Sequence, residues 1–167
     1  MNLRLISAVL AACLLAAGAR AGETVSYDGG EEPGTVVVDT RSRTLLLVTG
    51  PDEAIAYDVA VGRPEEQWTG VVYVGRKSEW PSWSPTAAMR RRDPKLPALV
   101  HGGPGNPLGA RALYLFADGG DTSYRIQGTN APRSIGREAS SGCIRMRNAD
   151  VEDLYGRVDR GALVVVR

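Results

Sequence analysis

Short apolar runs separated by glycine- and proline-containing turns fill most of the chain after residue 34, and they limit the folds it can adopt. The runs are rich in Val, Leu and Ile and too short for long helices, which is typical of β-strands. Several short strands with such turns between them favour a sandwich or barrel. We therefore predict a mainly β, sandwich- or barrel-like fold, with strands near residues 35–39, 44–48, 54–61, 70–76, 111–117, 124–127 and 162–166.

The sequence also predicts one or two short helices. Ser84 is a typical N-cap residue and Pro85 suits the first helical position, so one helix should run from there to about Arg91. Asn148 is a similar cap for a second helix, whose acidic first turn suits the positive end of the helix dipole. Apolar residues of this second helix recur at helical spacing and should face the sheet: Val151, Leu154, Tyr155 and Val158.

The first 21 residues have the pattern of a secretory signal peptide. A short basic start is followed by an apolar, uncharged run at residues 5–17 and by an A-x-A cleavage pattern at residues 19–21. That apolar run is too short to span a membrane. We predict cleavage after Ala21 and export to the periplasm or cell envelope, with no transmembrane span in the mature chain. Lipidation of Cys13, which lies in a lipobox-like segment, remains an alternative.

The mature chain has the length of one domain, and its composition excludes several classes of partner. We assign residues 22–34, which are polar and rich in glycine, to a flexible lead, and residues 35–167 to the domain. The full chain has 20 basic and 19 acidic residues, and two arginines lie in the predicted signal peptide. No basic field is left to bind nucleic acid or a membrane surface. A single histidine, His101, and the lack of paired cysteines or a nucleotide-binding fingerprint predict no metal site and no cofactor.

Cys143 is the main candidate for chemistry, because cleavage would leave it as the only cysteine of an exported chain. Gly142 allows the backbone to approach a substrate closely, and the positive charges of Arg145 and Arg147 favour the thiolate, which is the nucleophilic form. A buried structural cysteine is the alternative interpretation.

The proline-rich stretch 76–110 also has two interpretations. Loops of this length are usually functional or disordered, and its two tryptophans, Trp80 and Trp83, indicate an ordered one. Such a loop would form the wall of a groove beside the sheet, or it would merely cover a sheet edge.

These residues resemble the L,D-transpeptidases of the YkuD type, exported enzymes that remodel peptidoglycan. The resemblance runs from about residue 35 to residue 167. It rests on blocks that occur in the order found in that family: Val59–Arg63, Lys77–Pro85, Gly102–Gly109, Gly128–Gly136 and Ser140–Met146.

The resemblance implies a β-sandwich or barrel-like catalytic domain with its cysteine in a cleft. Cys143 matches the nucleophile, which attacks the third residue of a tetrapeptide stem, releases D-Ala and forms a thioester. Another stem, an anchored envelope protein, a free amino acid or water then accepts the acyl group. Arg145 matches an arginine common in the family, and the backbone of Gly142 and Ser141 lies where an oxyanion hole is needed. Asn130 and Ser134 are candidates for binding the stem peptide, although both also suit turns.

One residue departs from the family pattern. Gln127 stands where the resemblance leads us to expect the histidine that activates the thiol. An amide has no basic nitrogen at neutral pH, and general acid–base catalysis typically contributes roughly 10²–10⁴-fold.

Three explanations of this departure are open. The protein has degenerated into a stem-peptide-binding protein, or His101 has become the base, or the thiol reacts slowly with its thiolate stabilised by Arg145 or Arg147. A redox or structural thiol protein without a cell-wall role is a further alternative.

Overall fold

The computed structural model describes residues 22–167, so the predicted signal peptide and Cys13 lie outside the described residues. Mixed β-structure dominates, and the prediction of a mainly β fold is confirmed. The strands are β1 (Glu23–Ser26), β2 (Val36–Asp39), β3 (Thr44–Gly50), β4 (Glu53–Asp58), β5 (Val61–Gly62), β6 (Gly70–Glu79), β7 (Arg111–Ala117), β8 (Gly120–Gln127), β9 (Glu138–Ser140), β10 (Ile144–Arg145) and β11 (Leu163–Val166). The helices are α1 (Ala87–Arg92) and α2 (Asn148–Arg157). Neither helix in this part of the chain is long and apolar enough to cross a membrane.

Nine strands form one sheet, in the order β1-β4-β3-β2-β11-β6-β7-β8-β10. Strand β11 lies in its middle, parallel to β2 on one side and antiparallel to β6 on the other. The sheet curves back on itself, because Ala60 and Arg145 each donate a backbone N–H to the other's carbonyl at 2.8 Å. This pair joins the segment after β4 to β10 at the far end of the sheet, and so gives the fold its barrel-like closure.

The main core lies between the inner face of this sheet and α2. Val151, Leu154 and Val158 of α2 are buried in it, as the helical spacing predicts. A fully buried side chain of this kind stabilises the fold by roughly 1.5–3 kcal/mol. The sheet residues of the same core include Val36, Val38, Leu45, Leu47, Val74, Leu113, Leu115, Ile126, Ile144 and Val164.

The segment 22–34, which we expected to be a flexible lead, contains a strand. β1 pairs with β4, which would otherwise be an unpaired edge of the sheet. Tyr27 follows this strand and packs in a second, smaller core on the outer face of the sheet with Val37, Val48 and Ala54. The structure thus attaches this segment to the domain through backbone hydrogen bonds and a buried aromatic side chain.

Both predicted helix caps are wrong. The first helix begins after Thr86, whose hydroxyl accepts a hydrogen bond from the Met89 N–H at 3.2 Å, rather than after Ser84. The second begins after Arg147, with Asn148 already inside it. The Asn148 side-chain oxygen instead accepts backbone N–H groups from Ala110 and Thr129, at 3.1 and 3.2 Å. These bonds come from residues distant in sequence, and local capping rules do not include them.

Candidate active site

Cys143 lies in a groove of about 480 Å³ that is lined mainly by three different parts of the chain. Strand β8 and the segment 140–145 form the floor, and the stretch between β6 and β7 forms the wall. The proline-rich loop therefore borders the groove, as one of its two interpretations predicts. Its contributions to the wall are Ser82, Trp83, Ser84, Thr86, Ala88, Met89, Arg92, Pro107 and Leu108.

Strand register brings the predicted chemical residues onto one face of the sheet. Arg145 in β10 lies directly beside Gln127 in β8, and the adjacent pair Ile144 and Ile126 points into the core. Alternation along a strand then puts Cys143, two residues before Arg145, on the groove side. The structure thus brings three predicted site residues to one place from segments far apart in the sequence.

The backbone before the cysteine is held in a turn that requires glycine. Gly142 has a φ of +101°, and a Cβ added there would lie 2.5 Å from a ring carbon of Tyr124. Its carbonyl accepts a hydrogen bond from the Trp68 indole at 2.9 Å, and Trp68 stacks on Tyr124 with ring centroids 4.4 Å apart. The indole bond and the stacked rings together fix the position of the backbone that precedes the sulfur of Cys143.

The Gly142 amide, which we expected to contribute to an oxyanion hole, is hydrogen-bonded within the turn. The Gly142 N–H donates to the Ser140 hydroxyl at 3.1 Å, and this hydroxyl donates to the Cys143 carbonyl at 2.6 Å. The Gly142 amide is therefore already used inside the turn. The Cys143 N–H has no hydrogen-bond acceptor among residues 22–167, and it lies next to the sulfur. Ser141 lines the groove, but its hydroxyl accepts a bond from Arg63 at 3.1 Å.

The environment of the Cys143 thiol favours its neutral form. Burial raises the pKa of the thiol, and this effect outweighs the backbone N–H of Arg125 and the positive charges of Arg125 and Arg145, which lower it. The sulfur lies 4.0 Å from the Ser123 carbonyl, to which the S–H can donate. In the free protein near neutral pH, Cys143 is therefore a thiol more often than a thiolate.

Gln127 is almost completely enclosed, with 4% of its surface exposed. Its amide nitrogen donates a long hydrogen bond of 3.4 Å to the Pro107 carbonyl. Its side-chain oxygen has no hydrogen-bond partner among the described residues, although a buried polar atom normally has one. Both atoms are neutral at physiological pH, so the side chain offers an acceptor and a donor but no base.

The groove contains three arginines, of which Arg145 differs from the other two. Arg92 pairs with Glu66 at 3.2 Å, and Arg125 pairs with Asp121 at 2.8 Å. Arg145 has no carboxylate partner among residues 22–167, and its Nε is buried without an acceptor. Sequence reasoning missed Arg125, although it lies two residues before Gln127 in an alternating strand and so on the same face.

The remaining predicted residues lie outside the groove lining. The His101 side chain is exposed, and the backbone carbonyl of this residue accepts a bond from Asn106. Asn130 and Ser134 bond to the carbonyls of Gly105 and Ala131, at 2.8 and 2.7 Å.

Arg147 lines a second cavity and not the groove that contains Cys143. It pairs with Asp58 and Asp150, at 3.3 and 3.4 Å, beside a cavity of about 580 Å³. That second cavity is lined by Tyr57 and these charged side chains, and contains no cysteine. Across residues 22–167 there is no cluster of three or more His, Cys, Asp or Glu side chains that could hold a metal ion.

Comparison with known proteins relates the chain to one family. The profile of the YkuD L,D-transpeptidase catalytic domain matches residues 33–166. Probable L,D-transpeptidase YbiS of Escherichia coli (strain K12) is 35% identical over 139 residues, which are 78% of this chain and 43% of YbiS. The chain thus spans less than half the length of that curated relative.

Solved structures agree in fold. A probable carnitine operon oxidoreductase from Brucella melitensis is 44% identical, with a TM-score of 0.60, over 85% of this chain and 90% of that one. L,D-transpeptidase 3 from Mycobacterium tuberculosis has a TM-score of 0.63 over 80% of this chain and 60% of that one, at 18% identity.

Proposed function

Because the chain belongs to the YkuD family of L,D-transpeptidases, we propose that it acts on peptidoglycan stem peptides in the cell envelope, after export and removal of residues 1–21. The observation that carries the proposal is the thiol of Cys143, the only cysteine among residues 22–167, at the floor of a groove of about 480 Å³. Trp83 and Tyr114 supply aromatic surface in this groove, and Arg145, which has no carboxylate partner among residues 22–167, suits a substrate that carries a carboxylate.

The proposed reaction is an acyl transfer through the sulfur of Cys143. The thiolate forms a bond to the carbonyl carbon of the third stem residue, and the carbonyl oxygen becomes an oxyanion beside the Cys143 N–H. When the tetrahedral intermediate collapses, the C–N bond to D-Ala breaks and a thioester remains. The leaving nitrogen takes up a proton, and an amine or water then attacks the thioester and restores the thiol.

Gln127 makes two of these steps slow. The thiol must lose its proton although burial raises its pKa, and the leaving nitrogen must gain one. An amide side chain performs neither transfer. Proton exchange with water in the groove remains as the route, and we expect a rate roughly 10²–10⁴-fold below that of a site with a positioned base.

The second candidate function is binding of the stem without turnover. The enclosed amide of Gln127 and the raised pKa of Cys143 favour it. A redox function receives less support, because Cys143 is the only cysteine among residues 22–167 and no second thiol lies nearby to form a disulfide.

Intact-mass measurement on purified protein distinguishes these functions. The protein is incubated with a tetrapeptide muropeptide and, separately, with a carbapenem, and Cys143→Ala serves as the control. An acyl adduct present in the native protein and absent from the variant supports the enzyme. Stem binding that persists in Cys143→Ala, without adduct or D-Ala release from the native protein, supports the binding protein. Neither binding nor adduct would refute both.

Gln127→His then tests whether a missing base limits the rate. We expect D-Ala release to rise by about 10²-fold or more if the new imidazole reaches the sulfur. Equal activity of the native and variant proteins would show that Gln127 does not impair the reaction. The acyl acceptor, whether another stem, an anchored envelope protein or water, is identified by mass analysis of the released products.

A further inference from the structure

Two neighbouring residues of the groove lining each have a buried polar atom without a hydrogen-bond partner among residues 22–167. One atom is the Gln127 side-chain oxygen, an acceptor, and the other is the Arg145 Nε–H, a donor. The two residues are direct neighbours across the β8–β10 pairing. Leaving such atoms unsatisfied is costly, and native proteins keep few of them outside functional sites.

The surrounding charges make Arg145 the groove arginine that is available to an anion. Arg92 and Arg125 are each neutralised by a carboxylate within hydrogen-bond distance. Arg145 has none among residues 22–167, and burial lowers the pKa of its guanidinium. A half-buried guanidinium without a counter-ion is costly to leave unpaired, and a carboxylate that reaches it forms a charge-assisted hydrogen bond.

We propose that Arg145 and Gln127 together bind the terminal residue of the stem peptide. The free carboxylate of that residue accepts the Arg145 N–H, and the peptide N–H of the same residue donates to the Gln127 oxygen. A carboxyl-terminal residue carries these two groups a few ångströms apart, as the adjacent side chains require. This inference rests on the proposed function and identifies the end of the substrate that the groove recognises.

The assignment gives Gln127 a role in binding the substrate. The N–H that it holds belongs to the bond that the sulfur cleaves, so the amide orients the scissile bond even though it transfers no proton. Arg145 then selects stems that end one residue beyond this bond, because a longer or amidated stem places no carboxylate there. The alternative is that Arg145 only stabilises the Cys143 thiolate.

Calorimetric binding to Cys143→Ala distinguishes these roles, because this variant has no thiolate and cannot consume the ligand. The ligands are a tetrapeptide stem with a free terminal carboxylate and the same stem with a terminal carboxamide. We expect the carboxamide to bind roughly tenfold more weakly or worse. Adding Arg145→Gln should remove this preference, and adding Arg92→Gln, at a paired arginine of the same groove, should leave it intact.

Gln127→Met tests the second contact. Since methionine is similar in size and lacks the acceptor, both ligands should bind several-fold more weakly with their ratio unchanged. Equal affinity for the two ligands in Cys143→Ala, or a preference that survives Arg145→Gln, would overturn the inference and leave the proposed function standing. This ligand comparison needs no change at Arg145, so it decides the question even if that variant does not fold. Absence of any stem binding would overturn both.

Discussion

Replacing Gly142 by alanine tests whether the turn before Cys143 is set by backbone conformation and close packing. Its φ of +101° is unfavourable for alanine, at a cost of roughly 1–3 kcal/mol. The new Cβ would also lie 2.5 Å from a ring carbon of Tyr124 and 3.2 Å from the Glu66 carbonyl. Tyr124 cannot move freely, because Trp68 stacks on it and donates to the Gly142 carbonyl. Overpacking of this kind typically costs a further 1–3 kcal/mol, roughly.

Gly120 offers a matched control. It has the same φ of +101°, but an added Cβ there meets no atom within 4 Å. Gly120→Ala should therefore lose only the conformational part, about 1–3 kcal/mol, and Gly142→Ala about 2–6 kcal/mol. The difference between the two variants isolates the contact with Tyr124.

Urea unfolding of both variants measures these free energies. The acylation rate of Cys143, followed by intact mass, should fall in Gly142→Ala and stay near the native value in Gly120→Ala. If Gly142→Ala were no less stable than Gly120→Ala, the ring of Tyr124 would not confine the turn, and our account of how the sulfur is positioned would be wrong.

Three further variants and titrations test other contacts. Trp68→Phe keeps an aromatic ring but loses the bond to the Gly142 carbonyl, and should lower the free energy of unfolding by about 0.5–1.5 kcal/mol. Backbone N–H groups of the β2–β3 turn lower the pKa of Asp39, so the stability it contributes is present above its unfolded pKa and lost as the pH falls through the lower folded value. In urea unfolding, the difference in free energy between Asp39→Asn and the native protein should thus begin to shrink as the pH falls below about 4. Burial raises the pKa of Cys143, so alkylation should have a midpoint above about pH 8.5, higher still in Arg145→Gln.

Each of these expectations has an opposite outcome that would contradict it. Unchanged stability of Trp68→Phe would mean that the indole bond contributes nothing to the turn. A loss of stability in Asp39→Asn that grows at low pH would show that the Asp39 carboxylate destabilises the fold. An alkylation midpoint well below pH 8 would mean that a stronger positive field acts on the sulfur than the two arginines supply.

The sequence predicts most strands well, because their signal is local. Residues 111–117 match β7 at both ends, and the valine run 36–38 is buried on both faces of β2. Strand ends are less predictable. β6 continues three residues beyond its predicted end at Arg76, to Glu79, because it pairs with β7 along that length. β1, β9 and β10 lie outside the predicted ranges, and β1 in particular has a short polar sequence that forms a strand only beside the open edge of β4.

The site could be predicted only in part, because its residue types are local information and its shape is not. Cys143, Gln127 and Arg145 are identifiable as residues, but the groove depends on contacts between distant segments. The Trp68 indole meets the Gly142 carbonyl across 74 positions. The hydrogen bonds from the backbone of Ala110 and Thr129 to the Asn148 side chain, which is therefore not a helix cap, are equally non-local. Residue types can therefore indicate the chemistry, whereas the occupied amide of Gly142 and the solitary charge of Arg145 require the three-dimensional arrangement.

The place of β11 has a consequence for the order in which the molecule assembles. Residues 163–166 are synthesised after every other strand of the sheet, yet they separate β2 from β6 and hydrogen-bond to both. Until they arrive, the emerging polypeptide consists of two incomplete halves with open edges, which are prone to aggregation. A ribosome that stalls shortly before residue 163 would release a product with every groove residue present but without the strand that pairs with both β2 and β6.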